Sequence, residues 1–161
     1  MPQDLIFPLP AGELISQEPP MRLIDTALSA DDEGASSLTT LRRDSIAAGP
    51  EGRVSPLALI EVMAQTIAVF AGRLQRLAGG SPRPGLLLGT RRMTICEAPL
   101  VPGDTLFCCV QKRFESDDGL WQFDCAVRVR PNGDAARECD AASAVLTVYN
   151  PPEDYFDRMS R

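Results

Sequence analysis

From Leu57 to Ala71 only Glu61, Gln65 and Thr66 are polar, and no proline interrupts the run before Leu77. The residues between them are apolar on nearly every side of a 3.6-residue repeat, so a helix here must be covered on most of its surface. Ser55 reads as its N-cap, and Pro56 takes the first helical position, where a missing N–H costs nothing. Gly79 and Gly80 stop it, and Arg73, Gln75 and Arg76 are expected to emerge into solvent. The three polar interruptions and the modest length argue against a membrane span. The chain must therefore supply its own cover for one long helix.

Strand signals supply it. Met21–Ala30 and Ala35–Arg43 read as a hairpin around the turn Asp31-Asp32-Glu33-Gly34. Asp44–Ser55, with Gly49, Pro50 and Gly52, reads as a loop. After the helix, strands are expected over Leu86–Cys96, Thr105–Glu115, Leu120–Arg130 and Arg137–Tyr149, in a meander. Trp121, Phe123, Cys125, Val127 and Val129 alternate with polar residues, and Asn132-Gly133 reads as a tight hairpin turn. Residues 1–19 form a Pro-rich extended lead-in with a helical turn near Glu13–Ser16, and 150–161 form a polar tail. The 161 residues make a single domain. The class is α+β, one antiparallel sheet covering one helix. Such a sheet leaves an edge strand that pairing of two subunits would hide.

Composition removes several chemistries. Acidic side chains number 22 and basic ones 16, for a net charge of -6, which disfavours nucleic acid as partner. There is no histidine in the chain, so no His triad, His-ligated zinc or His general base can be its own. Cys96, Cys108, Cys109, Cys125 and Cys139 form no C-x-x-C pair and read as reduced, mostly buried thiols, with Cys108 and Cys109 on opposite faces of a strand. No metal and no cofactor are expected. The first residues lack a basic n-region, and the cytoplasm is the expected compartment.

Three segments resemble one family. Pro20-Met21-Arg22-Leu23-Ile24-Asp25 resembles the Pro-Φ-Leu-Leu-Val-Asp segment of FabZ-type 3-hydroxyacyl-acyl-carrier-protein dehydratases. Leu59-Ile60-Glu61-Val62-Met63-Ala64-Gln65 resembles their helix signature, and Val101-Pro102-Gly103-Asp104-Thr105-Leu106 their Val-x-Pro-Gly-Asp-x-Leu turn. The three matches fall in the family's order across residues 20–106. The resemblance implies the hot-dog fold, an antiparallel sheet wrapped around one long central helix. It also exposes a departure. Counting back from Glu61 by the family's spacing, the position of the catalytic histidine falls on Ala47. Pro56 replaces one backbone donor of the family's oxyanion site. The chain is closer to a His-less branch, the ApeP-like subunits found beside aryl-polyene and related polyketide genes, which work with a companion hot-dog subunit.

Dehydration of a 3-hydroxyacyl thioester needs a base for the proton beside the carbonyl, donors for the enolate-like oxygen, and an acid for the departing hydroxyl. Glu61 fits the acid, because a carboxyl on an apolar helix is expected to be desolvated. It also fits a purely structural carboxylate bonded to Gln65 one turn on. The base is missing: Asp44, Glu51 and Asp25 are candidates that spacing does not separate. Gln65, Leu57 and Gly89 are the candidate substrate-contacting residues, and Gln65 also fits a bond to backbone across a subunit contact. Arg73, Arg76, Arg83, Arg91 and Arg92 are the one basic concentration. Arg91 and Arg92 fit docking of an acidic acyl carrier protein or its phosphopantetheine phosphate, although strict alternation puts them on opposite faces of a strand, so that at most one serves; the group also fits a solvated helix end. Trp121 and Phe123 fit the core or the wall of an acyl tunnel.

The expected function is a dehydratase-like subunit acting on carrier-tethered acyl chains, as a homodimer or a heterodimer with a His-bearing hot-dog dehydratase paralogue. Two alternatives remain open: an acyl thioesterase in which Glu61 is base or nucleophile, and a carrier-protein-binding scaffold.

Overall fold

The computed structural model describes residues 5–97 and 99–161. The first four residues of the expected lead-in, and Ala98, lie outside the described residues. The elements are β1 (Leu9–Pro10), a 3-10 turn (Ala11–Glu13), β2 (Thr26–Ala30), β3 (Gly34–Thr40), α1 (Ala58–Leu77), β4 (Leu86–Ile95), β5 (Thr105–Glu115), β6 (Leu120–Arg130), β7 (Cys139–Tyr149) and α2 (Tyr155–Met159). One seven-stranded sheet runs β1-β2-β3-β5-β6-β7-β4, with every described pair antiparallel. α1 packs on one face of it. No helix among the described residues is long and apolar enough to cross a membrane.

The core follows the strand periodicity. Trp121, Phe123, Cys125, Val127 and Val129 are all buried, as their alternation requires. Phe70 of α1 meets Trp121 and Phe123 edge-on, with ring centroids 5.5 and 5.3 Å away.

The strand order differs from a four-strand meander. Only β5-β6-β7 is one. β4 pairs with β7, from Leu86↔Tyr149 to Ile95↔Ala142, and stands at the end of the sheet. Turn residues signal a chain reversal but not which strand receives it. Here β5 is claimed on one side by β3. The connection from β4 instead crosses to the loop before α1, where Val54 N donates to Leu100 O at 3.0 Å.

Local boundaries shift for similar reasons. Met21–Asp25 precedes the strand rather than opening it, and β2 begins at Thr26. This segment is held by the side chain of Gln65. Leu23 N and Ile24 N donate to its Oε1 at 2.8 and 3.3 Å, and its Nε2 donates to Met21 O at 2.9 Å. α1 begins at Ala58, two residues after Pro56. Ser55 still serves the turn ahead of it, where its Oγ accepts from Leu57 N at 3.3 Å. Asn132-Gly133 is not a two-residue hairpin but part of two successive 3-10 turns. Buried Asp104 shapes it by accepting from Asn132 N at 3.0 Å and Val101 N at 3.1 Å.

At the end of α1, Gln75 is buried rather than solvated, and its Oε1 accepts from Arg83 N at 2.8 Å. Arg73 pairs with Asp32 at 2.9 Å, and Arg76 donates to the Glu13 carbonyl. The cysteines are all free, but only Cys108 and Cys125 are buried, while Cys109 and Cys139 are exposed. Cys108 and Cys109 do take opposite faces of β5.

The lead-in is a packed strap. Ala11 and Leu14 are fully buried, and Leu14 crosses α1 at Gly72. A Cβ at residue 72 would overlap the Leu14 carbonyl oxygen. Gly is elsewhere unfavourable in a helix interior, so here close approach decides the residue.

Two outcomes follow. Gly72→Ala should destabilise the protein by about 1–3 kcal/mol despite its higher helix propensity, read as a lower urea midpoint. Burial pushes the Cys108 thiol up to about 12 and raises Cys125 as well. An alkylating reagent at pH 8 should therefore modify Cys109 and Cys139 in the native protein, and reach Cys108 and Cys125 only in denaturant; mass spectrometry of the labelled peptides reads the difference.

Candidate functional site

The third side of α1 is left open. Glu61, Ala64, Ala68 and Ala71 succeed one another at helical spacing, and their small side chains leave a crevice of about 220 Å3 against Leu86 and Leu87 of β4, Trp121 of β6 and Val148 of β7. The walls mix apolar and polar surface, the apolar part being somewhat the larger. Glu61, Gln17, Arg83, Tyr149 and Asn150 are the polar side chains of the crevice.

Glu61 is half-buried in the first turn of α1, where the helix dipole favours a negative charge. Gln65 Nε2 donates to its Oε1 at 2.7 Å. Among the described residues Oε2 has no hydrogen-bond partner, and no cation lies within ion-pair distance. One oxygen is thus anchored while the other can exchange a proton or accept a hydrogen bond from a molecule in the crevice. Gln65 itself is fully buried. Its two donors and its carbonyl are all engaged, with Met21, Leu23, Ile24 and Glu61, so no polar capacity remains for a ligand.

The remaining site residues lie apart. Leu57 is exposed on the turn before α1, one helical turn ahead of Glu61. Gly89 is exposed on β4, where the pairing slips between Leu87 and Gly89, and it does not line the crevice. Arg91 and Arg92 are exposed farther along β4. A second slip between Thr90 and Arg92 leaves Arg91 without a paired residue on β7, so strict alternation of the two arginines across the strand is broken there. Neither has a carboxylate within ion-pair distance among the described residues. The basic concentration is therefore dispersed, since Arg73 and Arg76 serve packing contacts elsewhere and Arg83 faces Glu153 at 3.7 Å.

Trp121 belongs both to the core and to the crevice wall, whereas Phe123 is fully buried core. Of the candidate bases, Asp25 and Asp44 line a different cavity, together with Ala47, and Glu51 is exposed. Asp25 is already engaged by Thr40 N at 2.7 Å and by Arg42 at 3.5 Å. Among the described residues no carboxylate other than Glu61 lines the crevice.

Sequence reasoning missed Gln17, which lines the crevice and whose buried Oε1 has no partner among the described residues. A lone glutamine in a Pro-rich lead-in carries no signal of its own. Only the packing of the strap brings it there.

Comparison with known proteins agrees with this architecture. One solved structure, the dehydratase heterocomplex ApeI:P from Xenorhabdus doucetiae, matches with a TM-score of 0.80 at 20% identity, covering 95% of this chain and 98% of that one. The E. coli PaaI protein of the phenylacetic acid degradation operon matches with a TM-score of 0.56 at 14% identity, over 77% of this chain and 81% of that one. A hypothetical thioesterase with coenzyme A from Streptococcus pneumoniae matches with a TM-score of 0.56 at 11% identity, over 76% and 82%. At these identities the likeness establishes the fold, a hot-dog sheet around its helix. No curated protein matches in sequence. The model of a family described as ApeP-like, ApeP dehydratase, matches residues 9–159. The sheet order, the Glu61 helix and this match over almost the whole length lead to one statement: the chain belongs to the ApeP-like dehydratase family.

Proposed function

We propose that this chain is one half of a heterodimeric 3-hydroxyacyl dehydratase and acts on acyl chains tethered to an acyl carrier protein. One observation carries the reading: a single tethered carboxylate, Glu61, lines a crevice beside an unpaired sheet edge, in a chain that has no histidine. The similar structure from Xenorhabdus doucetiae is a dehydratase heterocomplex, and the same arrangement would supply the missing base. The companion's imidazole removes the proton beside the thioester carbonyl. The C–O bond at the 3-position then breaks, and Glu61, protonated at Oε2, delivers its proton to the departing hydroxyl to form water. In this role Gln65 holds the carboxyl in place.

β4 is the contact surface in this reading. It is the long edge strand, and it exposes Leu87, Leu88 and Ile95, a pattern that invites strand pairing. Arg91 and Arg92 lie on the same strand, exposed and without carboxylate partners among the described residues. They are the cations we assign to the acidic carrier protein or its phosphopantetheine phosphate. Leu57 and Gly89 border the companion rather than the isolated crevice. Such a subunit works in the cytoplasm, in aryl-polyene or related acyl-chain synthesis.

A thioesterase reading has its own support in the free Oε2 of Glu61 and in the thioesterases that share this fold. A scaffold reading keeps the arginines and drops the carboxyl.

One set of measurements separates them. Co-expressed with a His-bearing hot-dog paralogue, the chain should elute as a stable heterodimer and dehydrate 3-hydroxyacyl carrier protein. Glu61→Gln should lower kcat by roughly 10²–10⁴ without loosening the dimer. Separate elution at micromolar concentration removes the heterodimer. Hydrolysis of acyl thioesters by the isolated chain, lost in Glu61→Gln, establishes the thioesterase instead. Carrier-protein binding that ignores Glu61→Ala but weakens in Arg91→Ala or Arg92→Ala, with no turnover in any assembly, leaves the scaffold.

A further inference from the structure

β4 ends the sheet, and none of its ten residues is buried. An open edge of this length, with Leu87, Leu88 and Ile95 exposed, is a template for another strand. The same edge on a second copy of the chain is the first competitor for it. Two identical edges meet antiparallel about a two-fold axis, so each residue faces the one equally far beyond the axis.

That symmetry gives the middle of β4 a consequence. The strand runs from Leu86 to Ile95, so its midpoint falls between Thr90 and Arg91. With the axis there, Arg91 faces Thr90 of the second copy and lies diagonal to its Arg92, about 7–8 Å away by strand spacing. An axis at Arg91, or between Arg91 and Arg92, sets arginine directly opposite arginine, at roughly 4.5–5.5 Å between Cβ atoms. Both spacings lie within about one Debye length at physiological salt. No residue of β4 is acidic, and Glu97, beyond its end, would meet Arg91 only in a register that leaves little of the strand paired. Neither arginine has a carboxylate within ion-pair distance among the described residues. Thr90 pins the backbone here, its Oγ1 lying 2.9 Å from the carbonyl oxygens of both Arg92 and Val145. Moving the axis toward the N-terminus centres the contact on Leu88 and Gly89, where the pairing with β7 already slips and a bulge bends the strand.

We propose that Arg91 and Arg92 key β4 against a second copy of this chain and toward a strand of a different chain that carries a carboxylate opposite one of them. The other arginine is left for the carrier protein. This deepens the heterodimer reading and rests on its choice of β4 as the contact strand.

Analytical ultracentrifugation of the full chain tests it, with thermal unfolding confirming that each variant is folded. The double variant Arg91→Gln/Arg92→Gln should self-associate at least about tenfold more tightly than the unaltered chain. The double variant Arg91→Glu/Arg92→Glu stands in for the acidic strand. Alone it should remain as weakly associated as the unaltered chain. Mixed with that chain in equal amounts it should form a 1:1 dimer, at least about tenfold tighter than either self-association at about 150 mM salt, and weaker at about 1 M. The proposal is overturned if the Gln variant self-associates no more tightly than the unaltered chain, or if the mixture associates no more tightly than its components. Should these results hold while the chain and a His-bearing paralogue elute separately, the heterodimer reading falls and the keyed edge stands. Co-elution with the paralogue, with neither gain in association, removes the keyed edge alone.

Discussion

The whole molecule answers to one constraint: α1 is apolar on nearly every side and must be covered on each. Fully burying one Leu, Val or Phe side chain is worth about 1.5–3 kcal/mol, so an uncovered face is costly. Three different devices meet the demand. The sheet takes the face that carries Phe70. The strap from Ala11 to Ile24 takes a second face, admitted by Gly72 and fastened by Gln65. The third face is cut back to alanines and stays open beside β4. The crevice is therefore a by-product of how the helix is wrapped, and the Glu61 carboxylate sits where the wrapping stops.

Gln65 joins these demands to the site. A fully buried carboxamide is expensive unless each of its hydrogen-bonding atoms is matched. Here the matching is complete, with three bonds to the backbone of the strap and one to Glu61. The same side chain that holds the strap also sets the direction of the Glu61 carboxyl, so packing and chemistry are not separable at this point.

Much of this was legible in the sequence because it is periodic or local. The apolar run of α1, the two-residue alternation of β6 and the hairpin turn at Asp31–Gly34 each follow from neighbours along the chain. The three family segments led to Glu61 and to the absent imidazole. What escaped is non-local. The pairing of β4 with β7 depends on which edges are already taken. The late onset of β2 reflects a glutamine some forty residues away. Gln17 and Gly72 owe their places to the path of a strap that has almost no regular structure of its own. Arg91 and Arg92 were read by strict alternation, and a bulge removed that premise.

The position of β4 also bears on the order in which the protein can be made. Emerging from the ribosome ahead of β5 and β6, this strand has no edge to join until β7, the last strand of the sheet, has been synthesised. In the interval its leucines and open amides are exposed in a nascent chain, a state in which wrong associations compete with folding. Closure of the sheet thus waits for its last strand. A ribosome that stalls between residues 95 and 139 would hold this edge strand available to whatever else is nearby.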